Sequence, residues 1–320
     1  MIVTSDSKLI ALIGHPVSHT RSHILFSYFE EEFESNCVYM PFDVEPDNLV
    51  AAIKGLKAMG FRGANITAPY KTEVFQKARS IGMKLTEVAR VCQSVNCLYY
   101  DDAGQLWGTT TDYVAFCDMF RNSIPNAVDL SSVLIIGSGG VSKVVLQAVW
   151  DSTFFCKVDF LCRDTAKCSD FVQPMYEKYT KAKRRGFVTI PSPQPDVYSL
   201  NDLHVTRLIN LVHQYDVIIN ATPVGMFPNT QASPLPEDVM LALGRNDCGT
   251  KQTIIDLIYN PPVTRLLQSA ANHGCKCVNG RLMMVDQFVE SYRLWIPKTV
   301  SGCSKEELVK FGMRKLGWAE

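Results

Sequence analysis

Two successive series of short apolar runs, each separated from the next by an amphipathic stretch, constrain this chain more than any other feature. In the first series, KLIALIG (8–14), CVYMPFDV (37–44) and FRGANIT (61–67) read as strands. Between them, SHILFSYFEEEFES and PDNLVAAIKGLKAMG repeat apolar residues at helical spacing, and the second closes at Gly60, a common helix terminator. This βαβαβ order predicts a parallel sheet covered by helices. SVNCLYYDDAGQLWG then reads as a hairpin turning at Asp102-Ala103-Gly104, followed by a helix from about Asp112. The second series runs SVLIIG (132–137), KVDFLC (157–162), DVIINA (216–221) and TIIDLIY (253–259), again with helical segments between, which is a doubly wound pattern. The stretch 181–200, basic and then proline-rich, is expected to be a surface connection around a short strand. The tail from GRLMMVDQFVESYRLW onward is expected to be helical.

The chain has 320 residues, enough for about two domains. Its 32 basic and 32 acidic side chains leave no net field to recruit nucleic acid or an anionic membrane, so an acidic ligand must be caught by local donors. The most apolar window, SVLIIGSGGVSKVVLQAVW, is broken by three glycines and a lysine and is not expected to span a bilayer. The N-terminus lacks a cationic start and a cleavage site, so no signal peptide is expected. The 11 cysteines include no CxxC pair, and CKC at 275–277 is too tight for a zinc site. Reduced thiols in a cytoplasm, and no metal, are the expectation.

In VLIIGSGGVSKVV, Gly137, Ser138, Gly139, Gly140 and Val141 follow an apolar strand and open a helix. Glycines there let the backbone turn sharply and approach a pyrophosphate, whose charge a helix N-terminus stabilises. Ser142 is small enough for close helix–strand packing. The alternative is a plain tight turn, but the strand and helix on either side favour a dinucleotide. The next strand ends at Cys162, where an NAD binder would carry an acid for the ribose hydroxyls; Arg163 and Asp164 follow instead. A guanidinium there pairs with a 2′-phosphate, which points to NADP; Asp164 leaves NAD open, and a merely solvated Arg163 is the bland alternative.

The first series ends its strands on polar clusters, where open α/β sheets bind ligands. GHPVSHTRSH holds Thr20 and Ser22, GANITAPYK holds Thr67 and Lys71, SVN holds Asn96, and GTTTDY holds Asp112. Taken singly, Thr20, Ser22 and Asp112 also suit helix caps, and Lys71 a solvated face. Their shared position at strand ends favours a site.

On these motifs the chain resembles the shikimate/quinate dehydrogenase family over nearly its whole length. The family's H-S-x-S-P is His19-Thr20-Arg21-Ser22-His23 here, and its G-A-N-V-T-x-P-x-K is residues 63–71. V-N-T appears as Val95-Asn96-Cys97, and G-x-N-T-D-G as Gly108 to Tyr113. G-A-G-G-A matches 137–141, N-R-T matches 162–164, and N-A-T-x-x-G-M stands at 220–226. Y-x-P-x-x-T runs from Tyr259 to Thr264, and G-x-G-M-L-x-x-Q from Gly280 to Gln287. The resemblance implies an N-terminal α/β substrate domain with a mainly parallel sheet at 1–115. It implies a Rossmann-type NADP-binding domain at 116–284, with helices from about 285 to 320 packing back on the first.

It also implies roles. Thr20 and Ser22 would bind a substrate carboxylate; Thr67, Asn96, Asp112 and Gln287 would contact ring hydroxyls, with Tyr259 nearby; Lys71 and Asp112 would form the acid–base pair. Gly137, Ser138, Gly139, Gly140, Val141, Arg163, Ala221, Thr222 and Met283 would meet the cofactor. The activity implied is hydride transfer between NADP and shikimate or quinate, by a monomer or homodimer. A related carboxylated cyclitol such as an amino-shikimate is a second substrate class, and a ligand sensor without turnover is a different one. Thr110, Tyr113, His23 and Leu282 depart from the family pattern and bear on the shape of the pocket.

Overall fold

The computed structural model describes residues 3–17, 20–185 and 192–318. The chain divides into two compact units, Met1–Ala115 with Leu282–Glu320, and Phe116–Arg281. The strands of the first are β1 (Lys8–Gly14), β2 (Cys37–Asp43), β3 (Phe61–Ile66), β4 (Lys84–Leu85), β5 (Cys97–Tyr100) and β6 (Leu106–Thr109). They form one sheet in the order β2-β1-β3-β5-β6-β4.

β1 pairs in parallel with β2 and β3, as the βαβαβ rhythm requires, and its last five residues are buried. A run apolar on both faces fits a strand with helices on either side. β2 is an edge strand. It carries Pro41, which an edge tolerates because one side of its backbone has no partner to donate to. β5 turns the sheet antiparallel and makes the expected hairpin with β6, closed by Gly104 N–H donating to Asp101 O at 2.9 Å, with Gly104 at φ 73°. The two-residue β4, parallel to β6, has no signature in the sequence.

One face of this sheet packs Ala11, Ile13, Ala64 and Ile66 against Leu49, Ile53 and Leu56 of the helix Leu49–Ala58. The segment returning from the far end of the chain supplies a second set of contacts. Phe288 and Tyr292, on the helix Arg281–Trp295, each pack edge-on against Phe29 with ring centroids 5.1 Å apart. Phe311, on the last helix Lys305–Lys315, meets the same ring at 5.1 Å. The Trp295 indole N–H donates to Leu98 O at 2.8 Å.

The second unit holds β7 (Ser132–Ile136), β8 (Lys157–Cys162), β9 (Val197–Ser199), β10 (Val217–Asn220), β11 (Thr253–Asp256) and β12 (Lys276–Asn279). Their order is β12-β11-β10-β7-β8-β9, with every neighbouring pair parallel. This is a doubly wound sheet whose order reverses between β7 and β10, the place where such sheets bind ligands. All five residues of β7 are buried. The stretch 181–200 differs from expectation. The helix Thr165–Arg185 extends into it, while the short strand expected there is Val197–Ser199, at the edge of the sheet; residues 186–191 lie outside the described residues. Its three residues are too few to show a periodicity.

Gly63 marks the tightest approach in the first unit. A Cβ there would lie 2.2 Å from Leu98 O and 2.4 Å from Trp295 Nε1, the two partners of one hydrogen bond. Gly63→Ala is expected to cost about 1–3 kcal/mol, as overpacking does, with a lower urea midpoint and a shifted tryptophan emission. An unchanged midpoint would mean that Trp295 moves aside freely.

Candidate active site

The site in the first unit grows from the carboxyl end of β3. Thr67 N–H donates to Ile13 O at 2.9 Å, and Thr67 O accepts from Tyr70 N–H at 3.0 Å, so the chain turns tightly past Pro69. The buried Tyr70 anchors the turn through its hydroxyl, which donates to Val44 O at 2.5 Å. Lys71 then opens the helix Lys71–Gln76, and its carbonyl accepts from Val95 N–H at 2.9 Å. The GANITAPYK stretch thus brings the lysine beside the segment that precedes β5.

Asn96, on that segment, is 2% exposed. Its Oδ1 accepts from Thr111 N–H at 2.7 Å, and its Nδ2 donates to Asp112 Oδ1 at 2.9 Å and to Thr111 Oγ1 at 3.0 Å. Gln287 Oε1 lies 3.4 Å from the same nitrogen. Asp112, on the first turn of the helix Thr111–Ser123, has its other oxygen 2.7 Å from Lys71 Nζ. The carboxylate is 5% exposed and the lysine 22%. Such a pair interacts more strongly than one in open water, because less solvent screens it. Of the three ammonium hydrogens only one is needed for Asp112, which leaves donors for a ligand hydroxyl.

Lys71, Asp112, Asn96 and Gln287 therefore converge, and Thr67 lies in the same turn as Lys71. Thr20 and Ser22 are joined to each other, Ser22 N–H donating to Thr20 Oγ1 at 3.2 Å, just before and at the start of the helix Ser22–Phe33. The cap position of that helix is Arg21, without a side-chain cap, so neither hydroxyl caps it in the usual way. His19 lies outside the described residues. Tyr259 belongs to the second unit, whereas Met283 sits buried on the helix that returns to the first. Among the departures, Thr110 is 1% exposed with its hydroxyl unpaired, and His23 is exposed.

Two further residues, Asn65 and Ser291, complete the network without having been singled out by sequence. Asn65 accepts from Tyr39 Oη at 2.9 Å and donates to Asn96 O at 3.2 Å and to Ser291 Oγ at 3.1 Å. Ser291 Oγ is 3.1 Å from Thr111 Oγ1 and donates to Gln287 O. The available signals were an asparagine inside an apolar strand, which demands partners once buried, and a serine four residues after Gln287 on the same helix face.

In the second unit, Gly137 follows β7 at φ 115°, and a Cβ there would lie 2.7 Å from Thr222 Cγ2. Glycine is required on both counts. Gly139, extended and without a side-chain cap, begins the helix Gly140–Ser152, and a Cβ on it would meet nothing within 4 Å. Those uncapped N–H groups in open space suit a diphosphate. Ala221 N–H donates to Ile136 O at 2.9 Å, and Thr222 Oγ1 donates to Asn220 Oδ1 at 2.7 Å, so both stand against the glycine loop. Ser138 and Val141 are half-buried in it.

Arg163 is exposed just past β8. Asp164 caps the helix that follows, its Oδ1 accepting from Lys167 N–H at 2.9 Å, so one of its oxygens is already occupied. Lys143, missed from sequence, is 6% exposed on the first turn of the glycine-loop helix. Burial, with the neighbouring Lys167 charge, pushes its ammonium down to about 8. A buried cation repelled by a second one is an arrangement that an anion would relieve.

A family model described as the shikimate dehydrogenase substrate binding domain matches residues 12–98. The NADP(+) shikimate dehydrogenase of Moorella thermoacetica is 30% identical over 294 residues, 92% of this chain and 89% of the relative. That of Bacillus subtilis is 30% identical over 288 residues, covering 90% and 91%. A crystal structure of a shikimate dehydrogenase with NADP+ superposes with a TM-score of 0.77 at 26% identity, covering 98% of this chain and 97% of the other. The chain belongs to the shikimate dehydrogenase family.

Two outcomes follow from the geometry. Asn96→Ala would strip partners from Thr111 N–H and from Asp112 Oδ1 while both stay buried, and is expected to cost about 2–4 kcal/mol in urea unfolding. His15, just past β1, has Nδ1 2.6 Å from Asp43 Oδ1 and Nε2 3.7 Å from Glu45 Oε2, and the Asp43 hydrogen bond raises its pKa above 6.5. A raised histidine stabilises the fold fully below the unfolded value and loses this as pH rises through the folded one. His15→Gln should therefore lower the melting temperature more at pH 6 than at pH 9. An equal loss at both would assign the effect to packing.

Proposed function

We propose that this protein is an NADP-dependent oxidoreductase that interconverts 3-dehydroshikimate and shikimate, with quinate as a second substrate. The observation that carries the reading is the 2.7 Å Lys71–Asp112 pair at the strand ends of the unit that contains the matched substrate-domain segment. Relatives named as NADP(+) shikimate dehydrogenases over about nine-tenths of the chain support it.

When bound, NADP+ supplies the hydride acceptor at the nicotinamide C4; the chain supplies position and the path for the proton. Thr20 and Ser22 hold the substrate carboxylate, while Thr67, Asn96, Gln287 and Tyr259 meet the ring. Lys71 and Asp112 together gain one proton when the secondary alcohol becomes a ketone and return it in reduction. Asn96 holds one oxygen of Asp112, so the other stays aimed at the lysine. The glycine loop and the uncapped helix start receive the diphosphate. Arg163 receives the 2′-phosphate. With Asp164 engaged as a cap, the balance lies with NADP over NAD. The same reading carries a cytoplasmic location and an assembly no larger than a homodimer, which sedimentation would measure.

Assays of purified protein with shikimate and quinate, each with NADP+ and NAD+, test the whole reading through reduced-cofactor absorbance. Lys71→Ala should cut turnover about a hundredfold or more, with substrate affinity largely kept. Arg163→Ala should weaken use of NADP by a few kcal/mol and leave NAD little changed. Equal losses with both cofactors would remove Arg163 from phosphate reading. Tight shikimate binding without turnover by the wild type would replace the enzyme with a sensor.

A further inference from the structure

Asp256, the last residue of β11, is fully buried and stands in register with Asn220, the last residue of β10. Its Oδ1 accepts from Asn220 Nδ2 at 3.0 Å and from Ile258 N–H at 3.1 Å, and its Oδ2 accepts from Thr264 Oγ1 at 2.6 Å. The chain of bonds continues on both sides. Asn220 Oδ1 accepts from Thr222 N–H at 3.0 Å and Thr222 Oγ1 at 2.7 Å, and Thr222 Oγ1 accepts from Val224 N–H at 3.2 Å. Thr264 Oγ1 accepts from Leu267 N–H at 3.3 Å, capping the helix Arg265–Asn272.

Every group facing the carboxylate is neutral, and among the described residues no ion pair involves it. A carboxylate without a cation is an expensive group to bury, and an amide of the same shape would cost less. Only an ionised carboxylate, however, accepts from all three donors and presents no hydrogen of its own. An asparagine would turn an N–H toward Thr264, whose oxygen already accepts from Leu267, and would strand the threonine hydrogen.

We propose that Asp256 is a positioning residue for the cofactor, its carboxylate locking the Asn220–Val224 loop and the Ile258–Thr264 turn into one piece beside the glycine loop. The inference rests on the reading of this unit as the NADP-binding one. Ala221 and Thr222 lie on the first of the locked segments and Tyr259 on the second.

The pH behaviour separates this role from a plain structural one. Burial raises the Asp256 pKa from 3.8 to about 6. A raised carboxylate makes the fold lose stability as pH rises between those values, so in stability alone the group favours the acid side. The lock acts in the opposite sense, being complete only above about pH 6.

The test uses the full chain and four proteins: wild type, Asp256→Asn, Thr264→Val and Thr264→Ser. Hydrogen exchange without cofactor reads the lock directly, and titration with NADP+ reads its effect. In the variants Asp256→Asn and Thr264→Val, the amides of Thr222, Val224, Ile258 and Leu267 should exchange faster together. NADP+ affinity should fall roughly tenfold while turnover at saturation changes by less than about threefold. Thr264→Ser, which keeps the hydroxyl, should behave as wild type. Wild-type affinity for NADP+ should weaken as pH falls from 7 to 5, and in Asp256→Asn that slope should shrink to the part left by protonation of the 2′-phosphate, whose own pKa is about 6. Wild-type exchange and wild-type NADP+ affinity in a folded Thr264→Val would overturn the proposal. If the wild type binds no nicotinamide dinucleotide, the functional reading fails, and concerted exchange still decides whether the lock exists.

Discussion

One buried amide carries more of the first unit than any other group. Asn96 is enclosed between β3, the approach to β5 and the start of the helix Thr111–Ser123, and it has to satisfy both ends of its side chain there. Its backbone links Ile66 N–H to Thr109 O in the sheet, while its side chain holds Thr111 and Asp112. An unsatisfied polar group in such a place costs about as much as a lost hydrogen bond or more, so these neighbours are not independently placed. Fixing Asn96 fixes the carboxylate of Asp112, and the carboxylate in turn fixes the ammonium of Lys71. The geometry of the pair is thus a property of the sheet, not of two flexible side chains that happen to meet.

The network also explains why the first unit needs the far end of the chain. Gln287 and Ser291 reach it from the helix Arg281–Trp295, whose other residues bury Phe288 and Tyr292 against Phe29. The same helix brings Trp295 to Leu98 O at the back of Gly63. Apolar burial supplies the driving force for docking, and the polar contacts set its register. Contacts separated by 191 to 226 residues in the polar network cost loop-closure entropy before they return anything, so the first unit is expected to consolidate late in folding. The Lys305 ammonium, 2.7 Å from Asp286 and 3.2 Å from Glu290, ties the final helix to the same element.

Much of this was legible in the sequence because the signals were of the kinds that physics makes local. Long apolar strands such as SVLII, a glycine loop between strand and helix, and the Asp102-Ala103-Gly104 turn declare themselves within a few residues. What stayed hidden depends on tertiary partners. β4 has two residues, too few for a period, and the polar KCVN of β12 carries no strand signal until it lies beside β11. Asn65 and Ser291 look like an interruption of a strand and a routine helix residue; their roles exist only where β3 and the returning helix meet. Asp164 read as a possible ribose acceptor because the sequence shows the carboxylate but not the N–H of Lys167 that engages it. Lys143 was invisible for a related reason, since nothing in a heptad or a motif tells that a lysine will be nine-tenths buried.

The two buried carboxylates show how one residue type is put to opposite uses. Asp112 has a cation at 2.7 Å and one amide donor, so its charge is matched by a group that can exchange a proton with a ligand. Asp256 has three neutral donors and no cation, so its charge is held by dipoles that have no proton to give at neutral pH. Dipoles that are already oriented stabilise a charge without being reorganised by it, which makes the second arrangement rigid. A charged partner on a flexible stem makes the first one responsive. The sequence places both aspartates close to strand ends, and composition or spacing cannot tell them apart. The neighbours supplied by other segments decide which one meets a cation and which one meets dipoles alone.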